Sequence, residues 1–190
     1  MEELKRTIEN YKPACEQEEK DRKIMLHFLQ SNADCLTREN RIAHFTASSW
    51  IFNESRDKVL MVYHNIYDSW SWTGGHADGE ADLLQVAVRE AKEETGVESI
   101  KTIMEQPCSL EIITVDGHIK RGAYVSSHLH LNLTYLLEAA EDQRLTMKAD
   151  ENSGVQWIPV DRLAEYVSEP WMMKWIYEKL LNRGNIPDIC

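Results

Sequence analysis

Glu90, Glu93 and Glu94 stand at i, i+3 and i+4 in the run Arg89-Glu90-Ala91-Lys92-Glu93-Glu94-Thr95-Gly96-Val97. At helical spacing their side chains lie on one face over a single turn. Three like charges that close raise one another's pKa and cost stability unless a cation sits among them. Carboxylate oxygens are the donors that Mg2+ and Mn2+ prefer, so the run reads as a divalent-cation site built on a helix. A glycine turn, Gly74-Gly75-His76-Ala77-Asp78-Gly79-Glu80, feeds that helix. Leu84, Ala87, Val88 and Ala91 give it an apolar stripe. A plainer reading also stands: a solvated, charged last turn closed by a glycine cap, with Arg89 and Glu93 as a surface pair worth about 0.3 kcal/mol. Acidic residues at a helix C-terminus oppose the macrodipole, so helix stability alone does not account for them.

These residues and their spacing resemble the signature of the Nudix hydrolase family, G-x5-E-x7-R-E-U-x-E-E-x-G-U, where U is aliphatic. Anchored on Gly75, the chain supplies the glycine, Arg89, Glu90, Glu93, Glu94, Gly96 and Val97, with Ala91 where a larger aliphatic residue is usual. The first glutamate of the signature falls on Ala81, between Glu80 and Asp82; anchored on Gly74 it falls on Glu80, with one extra residue before Arg89. That glutamate is mainly structural in the family, so the departure bears on loop geometry more than on the metal site. The resemblance implies an α/β fold, the Nudix-type α/β/α sandwich with a mixed sheet, and hydrolysis of a diphosphate linked to another group, commonly in a nucleoside diphosphate derivative. It implies Mg2+ or Mn2+ as cofactor. By position, Glu90 and Glu94 are the implied metal ligands, Glu93 a further ligand or the group that orients water, and the Gly75 carbonyl a contributor to the metal site. Arg89 would hold a carboxylate of the cluster. Family members differ over the general base, and many add a loop carboxylate just before a late-strand tryptophan. Glu151, six residues before Trp157, has that placement, and is equally readable as an exposed loop acid beside Asp150.

A second resemblance competes. His44-Phe45-Thr46-Ala47-Ser48-Ser49-Trp50-Ile51-Phe52-Asn53 and Gly75-His76 are similar to stretches of isopentenyl diphosphate isomerase, an enzyme of the same fold, which implies His44 and His76 as metal ligands. Its catalytic cysteine would fall at Gly74, and it lacks the full R-E-x-x-E-E run, so hydrolase ranks above isomerase. A lone strand histidine is usually structural. A third reading, a Nudix-fold sensor that binds a nucleotide without cleaving it, is weighed down by the intact glutamate set.

The elements that must position these residues follow from the rest of the chain. Its 190 residues suit one domain with an appendage: a helical extension over 1–40 and a Nudix-type domain over 41–190. The extension reads as helices over Glu2–Tyr11 and Glu16–Gln30, packed on the core or a second subunit, or left as a solvated arm; a homodimer is the expectation. His44–Phe52 and Lys58–Tyr63 read as strands joined by a hairpin loop. Trp70 and Trp72 are expected beneath the glycine turn. Strands are expected over Ile100–Met104 and Leu110–Val115, with Asp116-Gly117 as a hairpin turn. Leu129, Leu131, Leu133 and Tyr135 alternate with His128, His130, Asn132 and Thr134, so one face of that strand is apolar and the other polar, turned to a pocket, to water or to a polar layer. A strand over Gly154–Val160, a short helix to Tyr166 and a last helix with Ser168 as N-cap and Gly184 as C-cap complete the expectation.

The apolar content of 43% allows a real core. The net charge of −11 argues against a nucleic-acid polymer or a membrane surface as partner. It leaves room for a small phosphorylated substrate, because bound metal inverts the local sign. Cys15, Cys35, Cys108 and Cys190 are scattered without CxxC spacing and read as free thiols in a reducing compartment. With no apolar leader or spanning run, a cytoplasmic location is expected.

Overall fold

The β-branched and aromatic run that follows the polar N-terminal arm lies at the centre of the structure, a computed structural model that describes residues 1–120, 122–149 and 152–184. Helices α1 (Glu2–Asn10) and α2 (Glu16–Ser31) precede strands β1 (Ala43–Phe52), β2 (Lys58–His64), β3 (Ser69–Ser71) and β4 (Thr73–His76). Helix α3 (Leu83–Thr95) leads to β5 (Lys101–Thr102), β6 (Ser109–Val115), β7 (His118–Lys120), β8 (Ala123–Val125), β9 (His128–Glu138) and β10 (Asn152–Pro159). A 3-10 turn (Val160–Arg162) and α4 (Leu163–Tyr166) come before the last helix, assembled from α5 (Pro170–Met172), a π-helical turn (Met173–Tyr177) and α6 (Glu178–Gly184).

One mixed sheet runs in the order β10-β2-β1-β9-β5, with β3 paired to β2, β4 to β1 and β6 to β9. β1 and β9 are parallel, from Ala43 opposite Leu129 to Phe52 opposite Glu138. Side chains alternate across a strand. One face of β1 therefore carries Phe45 and Ala47, which share a buried cluster with Leu83, Val86 and Ala87 of α3. The other face carries His44, Thr46, Ser48, Trp50 and Phe52. The last helix covers Trp50 and Phe52 with Met172, Ile176 and Tyr177. His44, Thr46 and Ser48 instead line a cavity. This is the expected α/β/α layering.

The N-terminal arm packs on the core. Leu4, Ile8, Met25 and Leu29 join the cluster shared by β1 and α3. α2 also covers the edge of the sheet: Gln17 Nε2 donates to the Leu110 carbonyl at 2.9 Å, and Asp21 accepts from the Ile112 N–H at 3.0 Å. Backbone groups that an edge strand leaves open are thereby occupied. Behind them Glu18 is fully buried, 3.0 Å from Lys179 and 2.9 Å from Arg183.

Several local expectations are corrected. β5 spans only Lys101–Thr102 of the predicted 100–104 strand. Asp116-Gly117 does not join a hairpin, because β6 pairs with β9 while His118–Lys120 pairs with Ala123–Val125 as a separate β7–β8 ribbon. Glu169, not Ser168, is the N-cap of α5, with Pro170 in the first turn; the Ser168 hydroxyl donates to the Asp68 carbonyl at 3.0 Å. Gly184 is the last residue of α6, not a cap beyond it. Cys15, Cys35 and Cys108 are free thiols, and Cys190 lies outside the described residues. Among the described residues no helix is long and apolar enough to cross a membrane.

Burial pushes the Glu18 carboxyl up, but Lys179, the Ala14 N–H and Arg183 outweigh it and hold it below the usual glutamate value. Its contribution to stability is therefore complete above the unfolded-state pKa of about 4.3 and is lost as pH falls through the lower folded value. Glu18→Gln should lower the unfolding free energy by about 3 kcal/mol at neutral pH, since it leaves buried cations short of a partner. Urea unfolding at several pH values should show this deficit shrinking as pH drops below 4.

Candidate active site

Helix α3 is fixed at both ends. Asp82 is its N-cap, accepting from the Gln85 N–H at 3.2 Å, so the acid just after the expected signature position takes the structural role at this end. Gly96 closes it in the left-handed region at φ 76°, its N–H donating to the Lys92 carbonyl at 2.9 Å. The buried stripe is Leu83, Val86, Ala87, Ala91 and Glu94, rotated from the predicted one, while Leu84 and Val88 are half-buried. The rotation follows from docking α3 across β1 and β4, and it carries an acid inward.

Glu94 is only 4% exposed, and its Oε2 accepts from the Gly74 N–H at 3.4 Å. Glu90 lies against Gly75, where an added Cβ would stand 2.5 Å from the Glu90 carboxyl carbon. Gly75 is thus a position at which backbone and carboxylate approach too closely for a side chain. Arg89 is exposed, its Nη2 3.9 Å from Glu90 Oε1. Glu93 is exposed, 3.6 Å from Lys148, and is not among the residues lining the cavity. The structure brings Gly75, Glu90 and Glu94 together and leaves Glu93 on the outer side of the helix. Glu151 lies outside the described residues.

These groups form one wall of a cavity of about 800 Å³. Arg38, Arg41, Lys120 and Lys148 also line it, a concentration of cations in a chain of net charge −11. Arg38 is paired with Asp78. Tyr67, Trp72 and Tyr124 supply aromatic surface. Trp72 is buried, as expected, while Trp70 packs edge-on against Tyr63 and Tyr166 away from the cavity.

The floor is the polar face of β1 and β9. Thr46 and Ser48 hydroxyls each donate to Asn132 Oδ1 at 2.9 Å, and Asn132 Nδ2 donates to Glu111 at 3.1 Å. Glu111 in turn meets Lys179 at 3.2 Å. The polar face predicted for β9 is therefore both cavity lining and a buried polar layer. Next to Asn132 the floor continues as four imidazoles, His44, His76, His128 and His130, with ring centroids about 5 Å apart. Burial drives His76 down to about 3 and His130 to about 2, and also lowers His44. These three rings are neutral at neutral pH.

Gly74 and Gly75, expected in a turn, lie instead in strand β4, paired with Ser48 and Ala47. A glycine strand, a helix that brings two carboxylates to it, and a cation-lined cavity beside a mixed sheet match a known pattern: the family model of the NUDIX domain fits residues 43–182. This chain belongs to the Nudix family. A probable DHNTP pyrophosphohydrolase of Lactococcus lactis subsp. cremoris (strain MG1363) is 27% identical over 128 residues, 67% of this chain and 74% of that protein. The dihydroneopterin triphosphate pyrophosphohydrolase of E. coli superposes with a TM-score of 0.54 at 14% identity, covering 73% of this chain and 95% of that one. The NUDIX domain of Shewanella oneidensis NrtR, complexed with ADP ribose, superposes with a TM-score of 0.53 at 17% identity, over 83% and 96% of the two chains. At such identities the superpositions show a shared Nudix fold.

Sequence reasoning passed over Glu169 in this Nudix chain. It lines the cavity at the N-cap of α5, and burial raises its carboxyl. Perturbed carboxyls in clefts are functional candidates; here the only signal was a Ser-Glu-Pro helix start. The pairing of His128 and His130 with His44 was equally hidden, because it depends on strand register.

Gly75→Ala should keep the fold, because the clash is with the end of the Glu90 side chain. Displacing that carboxylate by about 1 Å is expected to lower turnover roughly a hundredfold. Steady-state rates read beside an unchanged circular dichroism spectrum would check this.

Proposed function

We propose that this Nudix pyrophosphohydrolase is metal-dependent and hydrolyses a diphosphate linkage in a small nucleotide-like compound, a nucleoside diphosphate joined to another group or a heterocycle bearing a polyphosphate. The observation that carries the reading is the meeting of Glu90 and Glu94 at Gly74 and Gly75 of β4, on the wall of a cavity that also presents Arg38, Arg41, Lys120 and Lys148. The donors fit a hard cation: two carboxylates and the Gly75 carbonyl offer oxygen only, and the absence of a side chain at Gly75 lets the Glu90 carboxylate come up against the backbone there.

Glu90 and Glu94 are the proposed ligands of Mg2+ or Mn2+, with Gly75 supplying its carbonyl. When bound there, such an ion would supply charge neutralisation at phosphate oxygens and make water a better nucleophile. Arg89 restrains the Glu90 carboxylate from 3.9 Å. Glu93, exposed near Lys148, is a further ligand or orients the water once substrate is bound. Glu151 is the proposed additional loop carboxylate. Water oxygen joins one phosphorus and gives up a proton to a site carboxylate or to solvent, the bond from that phosphorus to the bridging oxygen breaks, and the bridging oxygen departs with its electron pair on the other phosphate. Arg38, Arg41, Lys120 and Lys148 offset the substrate's charge. Tyr67, Trp72 and Tyr124 offer π faces to a planar heterocycle. The name of the Lactococcus relative makes dihydroneopterin triphosphate one compound to test. A homodimer and a cytoplasmic location remain part of this proposal.

The test is a panel of dihydroneopterin triphosphate, nucleoside triphosphates, ADP-ribose, dinucleoside polyphosphates and isopentenyl diphosphate, with Mg2+ or Mn2+, run beside Glu94→Gln. Release of phosphate or pyrophosphate that is abolished by chelator and falls by at least about a thousandfold in Glu94→Gln is expected. Turnover indifferent to chelator or to Glu94→Gln would refute the assignment. Isomerisation of isopentenyl diphosphate, or ligand binding without turnover, would replace it.

A further inference from the structure

His44, His76, His128 and His130 come from three neighbouring strands. His128 and His130 stand at i and i+2 on β9, so they share a face. The parallel register sets His44 of β1 opposite His130, and the antiparallel register of β4 sets His76 opposite Thr46, two residues along β1 on the same face. This is the face turned away from α3, whose contacts are with Phe45 and Ala47. One nitrogen from each of the four rings can be chosen so that all lie within 4.8 Å of one another.

The hydrogen bonds around the rings decide where the lone pairs point. His44 Nδ1 is 3.0 Å from the Asn40 carbonyl, and His128 Nδ1 is 2.8 Å from the Ser126 carbonyl. A carbonyl can only accept, so both Nδ1 atoms carry the proton, and in a neutral ring Nε2 is then a bare lone pair. His44 is 4% exposed, and its Nε2 is buried without a hydrogen-bond partner. A buried acceptor left in this state costs stability unless something fills the place. His128 Nε2 faces His130 Nε2 at 3.2 Å. That separation is close to the edge of a tetrahedron of nitrogens around zinc, about 3.4 Å for bonds of about 2.05 Å. Backbone carbonyls that fix the far nitrogen of an imidazole are also the usual supports of metal-binding histidines.

We propose that these four histidines bind one divalent first-row transition ion of the zinc class, on the opposite face of the sheet from the glutamate helix. Imidazole nitrogens suit Zn2+, Co2+ and Ni2+, whereas Mg2+ takes oxygen, so this site and the carboxylate site select different ions. His44 anchors the site from the buried side; His76, His128 and His130 are partly buried and border the cavity. The ion would sit in the floor of the chamber beside Asn132, within the enclosure that receives substrate.

The test uses the whole chain stripped by chelator and dialysed into excess Mg2+. Zn2+ is titrated by calorimetry, and Co2+ by visible absorption. Wild type is run beside His44→Asn, His130→Asn and the double variant Glu90→Gln/Glu94→Gln. One equivalent of Zn2+ should bind despite the Mg2+, weakened roughly a hundredfold or more in each histidine variant and unchanged in the glutamate variant. Absence of stoichiometric Zn2+ binding, binding that survives both histidine variants, or loss in the glutamate variant overturns the proposal. If a histidine variant does not fold, X-ray absorption at the zinc edge of the wild-type protein decides: imidazole scattering supports the site, and an oxygen-only shell rejects it. None of these readings depends on turnover, so the hydrolase proposal can fail while this one stands, and the reverse.

Discussion

The parallel pairing of β1 with β9 is the constraint on which the other features depend. It holds the same register from Ala43 and Leu129 to Phe52 and Glu138. Because side chains alternate with a period of two, a slip of one residue would turn Phe45, Ala47, Leu131 and Leu133 away from α3 and bring His44, Thr46, His130 and Asn132 into the apolar core. The cost of burying those polar groups fixes the register, and the register fixes the two surfaces on which the chemistry is built. A parallel pair also needs a long crossover. Residues 53–127 provide it, and β4, α3 and the β7–β8 ribbon all lie within it.

Two carboxylates and four imidazoles then fall on opposite sides of one sheet, close to the same strand, β4. Its backbone at Gly74 and Gly75 meets Glu94 and Glu90, and its last residue is His76. Oxygen donors lie on one side and imidazole nitrogens on the other, so the sheet separates two kinds of donor set while a single cavity touches both. The polar layer from Thr46 and Ser48 through Asn132 and Glu111 to Lys179 continues this floor into the interior. Each member has a partner, as a layer in low dielectric requires.

The N-terminal arm is tied into the same layer. Glu18 of α2 shares Lys179 with Glu111, so the far end of the cavity floor and the first fifth of the chain meet at one ammonium group. Removing a buried charge of this kind leaves its partners unpaired in a low dielectric, so the ion pairs tie the arm to the core.

What the sequence determined by itself was local and periodic. The spacing of Glu90, Glu93 and Glu94, the glycine at 96, and the alternation from His128 to Tyr135 act over one turn or a few strand residues, so the helix, its Gly96 cap and the strand faces are legible without a partner. The sandwich fold was an implication of the family resemblance, which a contiguous signature is enough to raise. Tertiary packing decided the rest. The rotation of α3 buried Glu94 and left Glu93 exposed, although both stand on the predicted face, because docking on β1 and β4 selects one side of a helix. The Asp116-Gly117 signal lost to the pairing of β6 with β9, a contact between distant segments. The gathering of His44, His76, His128 and His130 needed two strand registers and a crossover of 75 residues. Spacing along a chain does not encode such a distance; only the closed sheet does.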